Sequence, residues 1–495
     1  MNATASTEPS AAREPSATRE PSAAREPSAA REAHAATWLD AGLAIAARGA
    51  GLVLVALPAP IASPAALLAA WPDEPAVAWT AGELALAGVG VARELRGTGA
   101  ARWDEVIAGA RALPVRGAVI AGEPAAVSAL GLARPRLVGG AAFLPGAADR
   151  APWLGFGDAW FALPRWTYVH DGARAFLVLA VDAAEAADAA RWRAELARHQ
   201  AALTAAATTV AAPATRAQPP IVELHRAGEA QWRAQIEAIT TAIAGGACSK
   251  IVAARTCTVA LAGPARAAEL LAALDERHAD CVRVLIRPPG GGALVAATPE
   301  RLVRRDGDAV RCDALAGTIS AAHPGGAAAL LGSAKDRWEH DLVVRAIREA
   351  LEDAGAIVDA PGEPAVRTLR HVLHLCTPFR ATLRSPRHVL ELAARLHPTP
   401  AVGGTPTTVA VDWIARREPA PRGWYASPVG WFDLDGNGEL AVAIRSGVLV
   451  GSRAHLWTGA GIVAGSDPDR ELAETESKLR AILGALGGGG SAELR

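Results

Sequence analysis

Two helical segments carry the side chains with the clearest chemical potential. In AKDRWEHDLVVRAIREAL, Ala334 to Leu351, an apolar stripe of Val343, Ile347 and Leu351 leaves Asp336, Glu339 and His340 on a neighbouring arc. A second helix opens at Ser466, Asp467 and Pro468 as cap and first turn, and puts Glu471, Glu474 and Lys478 on one face. Two helices that each offer a carboxylate pair can hold a hard divalent cation through oxygen. Magnesium typically takes one or two carboxylates and leaves its other positions to substrate and water. The same spacings also describe an ordinary solvated face. The helices alone leave both readings open.

Four other positions could act on a ligand. Lys250 begins the alternating, β-branched run SKIVAARTCTVAL, which reads as a strand. A lysine there is usually solvated at an edge; to act as a base, its pKa must fall from about 10.4 towards neutrality. Glu300, in ATPERLVRR, sits at a strand-to-turn junction. It could pair with Arg301 or Arg304, or donate a proton if its pKa is raised. Arg445 in AVAIRSG reads as a charge inside an apolar strand. That is costly without a partner, and a ligand carboxylate matches the guanidinium fork. His374, in HVLHLCT, reads by itself as a core histidine.

The elements that must position these groups are legible in outline. Ala230 to Ala244 is an amphipathic helix stopped by Gly245 and Gly246. Val282–Ile286 and Ala293–Ala297 flank PPGGG as a hairpin, and the DGNG at Asp435–Gly438 is a second hairpin turn rather than a calcium loop. Residues 1–35 repeat EPSAAR-like units without large apolar side chains, and read as a disordered tail. From 36 to about 220 the chain shows short strands between Ala-rich helical patterns. There Trp153, Phe156, Trp160, Trp166 and Tyr168 are expected to pack onto the later domain. An Ala/Thr/Pro segment ending at Pro219 and Pro220 divides this part from residues 221–495.

Composition narrows the function. A chain of 495 residues with net charge −1 has no broad attraction for nucleic acid or membrane. Five scattered cysteines without a CxxC pair argue against a disulfide framework or a zinc site, and read as buried thiols in a reducing compartment. The polar N-terminus lacks a secretory pattern, and Arg48, Pro58, Pro60 and Pro64 interrupt the apolar stretch from Leu43 to Trp71. These features read as a cytoplasmic protein.

The motifs together resemble the chorismate-utilising enzymes, most closely the isochorismate synthases. KIVAAR at Lys250, TPERL around Glu300, the LAGT turn at Leu315–Thr318, the EH of Glu339–His340, PTPAVGG, AIRSG, GAGI and ELAETESK fall in the family's order over about half of the chain. The resemblance implies an α/β (α+β) fold of large antiparallel sheets with outer helices and a central cleft. It implies that Lys250 activates the attacking water and that Glu300 is the general acid. Magnesium would sit on Glu339 and Glu474, with Asp336 and Glu471 as outer or water-mediated partners. Substrate would meet Gly317, Thr318, His374, Ala401, Tyr425, Arg445, Gly459, Gly461 and Lys478, with Tyr425 and Arg445 on the enolpyruvyl carboxylate. Ile319 and Ser320 depart from the Arg-Gly that family members usually carry after LAGT. Ala401 resembles isochorismate synthases, where salicylate synthases tend to have Thr and aminodeoxychorismate synthases Lys. The expectation is an isomerase converting chorismate to isochorismate for menaquinone or siderophore/salicylate biosynthesis, monomeric and without an amidotransferase subunit. A salicylate synthase and a non-catalytic chorismate-binding scaffold are the alternatives.

Overall fold

The computed structural model describes residues 28–208, 218–360 and 362–487. Among these residues the strands join one continuous 22-stranded hydrogen-bonded network. Its pairings are antiparallel except where Leu52–Pro58 runs parallel to Val115–Ile120.

Two leaves can be followed through the network. One passes from Leu52–Pro58 through Ala175–Val181, Ala159–His170, Leu84–Gly97, Ala76–Ala81, Val282–Arg287 and Ala293–Thr298. It ends through Ser446–Val450 and Arg453–Val463 on Lys250–Leu261. The other starts from the first half of Ala159–His170 and continues through Arg136–Ala141, Pro428–Asp433 and Gly438–Val442. It closes with Arg301–Asp306, Ala309–Ser320 and Val372–Leu383. Strands from both sides of residue 220 therefore share one sheet. The mixed helix-and-strand class with large antiparallel sheets stands as the sequence implied.

Strand sequence explains the layering. LVLVALP at Leu52–Pro58 is apolar at every position because both faces are buried. Leu52, Leu54 and Ala56 enter one core cluster, while Val53, Val55 and Leu57 enter a second. The second cluster is closed by Leu39 and Leu43 of helix Ser28–Ala46, Leu270 and Leu271 of Ala267–Arg277, and Leu479 and Ile482 of Pro468–Leu486. Trp153 and Phe156 join the two parts of the chain as expected, with ring centroids 4.8 Å from Trp457 and 5.2 Å from Trp424 respectively.

Three local expectations change. Helix Ser28–Ala46 begins within the last repeat, ahead of the boundary at 35, because Ala35 and Leu39 bury completely. The rest of the tail, and residues 209–217 of the expected linker, lie outside the described residues. LAGT is not a turn: it lies in strand Ala309–Ser320, whose register shifts between Ala316 and Thr318, with Gly317 at φ +75°. This is a bulge that glycine admits without strain. Arg445 is not inside a strand. It lies between Gly438–Val442 and Ser446–Val450 with φ +50°.

Trp153 is fully buried, and a Cβ on Gly423 would come within 2.1 Å of its ring. Trp153→Ala is therefore expected to cost about 3–5 kcal/mol, read as a shift in the midpoint of urea unfolding.

Candidate active site

The chain crosses from one leaf to the other at two neighbouring places, between Thr298 and Arg301 and between Val442 and Ser446. The crossings are tied together: Val442 N–H donates to the Glu300 carbonyl at 3.0 Å, and Ala297 N–H to the Arg445 carbonyl at 3.2 Å. Glu300 and Arg445 thus stand where the ladder opens, and both line one cleft of about 80 Å³. Sheet crossings free side chains from the alternation of a strand and aim them into the space between leaves. Two non-glycine residues with positive φ, Arg445 and Ala426, line this cleft, as held backbone strain at functional sites does.

Twelve of the expected site residues line the cleft: Glu300, Gly317, Thr318, Glu339, His374, Ala401, Tyr425, Arg445, Gly459, Gly461, Glu474 and Lys478. Lys250 lies just behind its wall. It is fully buried rather than at a solvated edge, and its Nζ is 2.7 Å from Glu339 Oε1. Gly461 makes room for this pair, since a Cβ there would fall 2.5 Å from Glu339 Oε1 and 2.9 Å from Lys250 Cε. Gly404 serves the same corner, its Cβ position being 2.2 Å from the Lys250 carbonyl. The outer carboxylates do not line the cleft. Asp336 accepts from the Ser333 hydroxyl at the helix cap, and Glu471 pairs with Lys335 at 2.9 Å.

The ionisable groups of the cleft differ in their electrostatics. Burial pushes the Glu300 carboxyl up to about 7, against the pull of Lys250, Arg445 and Lys478. Burial, followed by the Arg445 guanidinium, holds His374 well below its usual range. Arg445 can only donate, so His374 Nε2 accepts from it at 2.7 Å, and Nδ1 donates to Thr318 Oγ1 at 2.9 Å. Sequence alone made His374 a core residue; here it orients the guanidinium. Burial raises the Tyr425 hydroxyl, and its ring stacks on Trp457 with centroids 6.4 Å apart.

The oxygen donors suit a hard cation. Glu474 is raised by burial, with Lys478 opposing and Glu471 and Glu339 adding to the rise. Clustered carboxylates of this kind are relieved by a divalent cation. The Lys478 ammonium holds Glu474 at 2.7 Å and the Gly459 carbonyl at 2.9 Å.

Sequence reasoning missed the pair Glu418–Arg422, buried to 4% and 2% side-chain exposure and 2.5 Å apart. Arg422 donates to the Val402 and Val252 carbonyls at 2.7 and 2.8 Å, and Glu418 accepts from Ala254 N–H at 3.1 Å. The pair fastens the Ala401 loop to the Lys250 strand. Its only signal was two opposite charges four residues apart beside Tyr425. A larger cavity of about 860 Å³ lies away from these groups, between helices Pro64–Ala70 and Ala267–Arg277. Arg287 there spends its donors on the Trp71, Pro72 and Glu74 carbonyls.

Comparison with known proteins agrees with this geometry. Residues 44–487 match the family described as "Chorismate binding enzyme". The chain belongs to that family. It is 38% identical over 443 residues to the salicylate biosynthesis isochorismate synthase of Pseudomonas aeruginosa, covering 86% of this chain and 88% of that protein. It is 40% identical over 263 residues to isochorismate synthase MenF of Bacillus subtilis, covering 52% and 55%. Its fold matches MenF, the menaquinone-specific isochorismate synthase from Escherichia coli, with TM-score 0.74 and 26% identity over 92% of this chain and 100% of that one.

Gly461→Ala is expected to displace Lys250 and Glu339 while leaving the surrounding sheet folded. Turnover should fall by about 100-fold, the scale of a misplaced catalytic group, with near-UV circular dichroism unchanged.

Proposed function

We propose that the protein is an isochorismate synthase, which adds water at C2 of chorismate as the C4 hydroxyl leaves. The observation that carries the reading is one cleft holding a buried carboxyl near pKa 7, Glu300, in front of a buried lysine, Lys250. The 38% identity to an isochorismate synthase over most of both chains supports it. Ala401, in place of Thr, favours release of isochorismate over onward elimination of pyruvate.

Arg445, oriented by His374, and the Tyr425 hydroxyl hold the enolpyruvyl carboxylate. Lys478 meets the ring carboxylate. Lys250 takes a proton from the water aimed at C2. Its Nζ rests on Glu339 Oε1 at 2.7 Å, so that contact must loosen in the working complex. Glu300 passes its proton to the departing C4 hydroxyl as the double bonds shift. Base and acid act on different parts of one ring, which is why they come from distant strands. Glu339 and Glu474 would hold magnesium, with Asp336 and Glu471 behind them. When bound, the cation supplies a positive seat for the ring carboxylate and draws charge from the ring. Bonds broken and formed are alike, so the reaction runs near equilibrium. No helix among the described residues is long and apolar enough to cross a membrane, and we read the enzyme as a cytoplasmic monomer without an amidotransferase subunit.

The direct test is incubation with chorismate and magnesium, with products separated by chromatography and an EDTA control. Metal-dependent isochorismate without pyruvate is expected; salicylate with pyruvate would make the enzyme a salicylate synthase, and bound but unturned chorismate a scaffold. Because Glu300 must be protonated to act, activity should fall as pH rises through about 7. Glu300→Gln should lower kcat by roughly 10²–10⁴-fold and abolish that limb of the pH profile.

A further inference from the structure

Three residues outside the proposed reaction stand close together. His278, Asp280 and Cys281 form the turn between helix Ala267–Arg277 and strand Val282–Arg287, closed by Cys281 N–H on the His278 carbonyl at 3.0 Å. One ligand atom of each lies within 4.8 Å of the other two. Among the described residues this is the one such group of three or more His, Cys, Asp or Glu. His278 and Cys281 are buried and Asp280 is exposed, so the cluster opens to solvent on one side. A second imidazole, His371, has its ring centroid 6.4 Å from that of His278.

The donor set has a chemical preference. Thiolate sulfur, imidazole nitrogen and carboxylate oxygen are the ligands of zinc, and three of them leave a fourth position open. Sulfur and imidazole select against magnesium. The absence of a CxxC pair excluded a cysteine-rich site, but spacing between cysteines says nothing of a mixed turn.

The turn also reaches Arg445, whose guanidinium hydrogen-bonds the Cys281 side chain. Burial, and after it Arg445, holds the His278 imidazole below its usual range, while Arg445 is the leading charge opposing the burial that pushes Cys281 up to about 11. A cation on Cys281 would displace the thiol proton, engage the sulfur electrons and add net positive charge beside the guanidinium.

We infer that His278, Asp280 and Cys281 form a site for a thiophilic divalent cation of the zinc class, whose occupation weakens the grip of Arg445 on substrate. The second half rests on the reading of Arg445 as the clamp for the enolpyruvyl carboxylate.

The test uses the full chain and zinc chloride. Binding is measured by competition with a chromogenic zinc indicator, and turnover of chorismate is followed at fixed, saturating magnesium. Wild type should bind one zinc at this site, and Cys281→Ser and His278→Gln should each weaken that binding by at least about tenfold. Zinc should raise the wild-type KM for chorismate several-fold with little change in kcat, reversed by EDTA and lost in both variants. Magnesium-only kinetics of His278→Gln, expected to match wild type, report its folding, and the folding of Cys281→Ser, whose side chain contacts Arg445, is read from near-UV circular dichroism. Equal zinc binding by wild type and variants overturns the site, as does inhibition that persists in the variants, which would place the metal on Glu339 and Glu474. Zinc binding lost with Cys281 while KM stays unmoved overturns the link to Arg445. The binding measurement decides the site even if chorismate is not turned over, so the two readings fail separately.

Discussion

A lysine removed entirely from water needs an opposite charge, and the arrangement of this protein's cleft depends on how that need is met. Lys250 and Glu339 are 89 positions apart in sequence and 2.7 Å apart in space. Removing either partner of such a pair leaves a stranded charge and typically costs about 3–5 kcal/mol. The pair therefore ties strand Lys250–Leu261 to helix Ala334–Asp353. The glycines around it follow from the same constraint. Gly461 and Gly404 lack a Cβ because the pair and the Lys250 backbone occupy that space. Gly461, which the resemblance assigns to substrate, is first of all clearance for an ion pair.

Charge is balanced locally throughout the cleft. Glu339 faces Lys250, Glu474 faces Lys478, and Glu471 faces Lys335. Three of the four acidic groups that could serve a cation are thus each held by an ammonium, and Asp336 rests on the Ser333 hydroxyl. Glu300 differs, because the cations that act on it do not outweigh its burial, and its pKa settles near 7. One carboxyl able to keep its proton among several that are paired is the division of labour that acid catalysis in a cation-assisted site requires. The turn at His278–Cys281 places a softer donor set beside Arg445.

The two leaf crossings explain why Glu300 and Arg445 are neighbours. Glu300 and Arg445 are separated by most of the second half of the chain, yet backbone hydrogen bonds join their crossings on both sides. A regular strand would have sent alternate side chains to opposite faces. Leaving the ladder lets both point into the gap. Glu418 and Arg422 perform a related task, fixing the Ala401 loop to Val252 and Ala254 without touching the reacting groups themselves.

The amino-acid sequence by itself determined the class of fold and the roster of chemistry. Alternating apolar strands and two carboxylate-bearing helices were readable because periodicity and residue type are local properties, independent of what lies opposite. The antiparallel sheets and the chorismate-type cleft were anticipated from the resemblance that the motifs around Lys250, Glu300 and Arg445 carry. Tertiary structure decided the rest. It made Lys250 a buried partner of Glu339 rather than an edge lysine. It turned LAGT from a turn into a bulge, put Arg445 at a sheet crossing, and gave His374 the guanidinium to orient. It also drew Asp336 to a helix cap and paired Glu418 with Arg422. Apart from the local pairs Ser333–Asp336 and Glu418–Arg422, these outcomes depend on groups far apart along the chain, and burial, pairing and protonation are set by what packs across the gap rather than by what stands next in sequence.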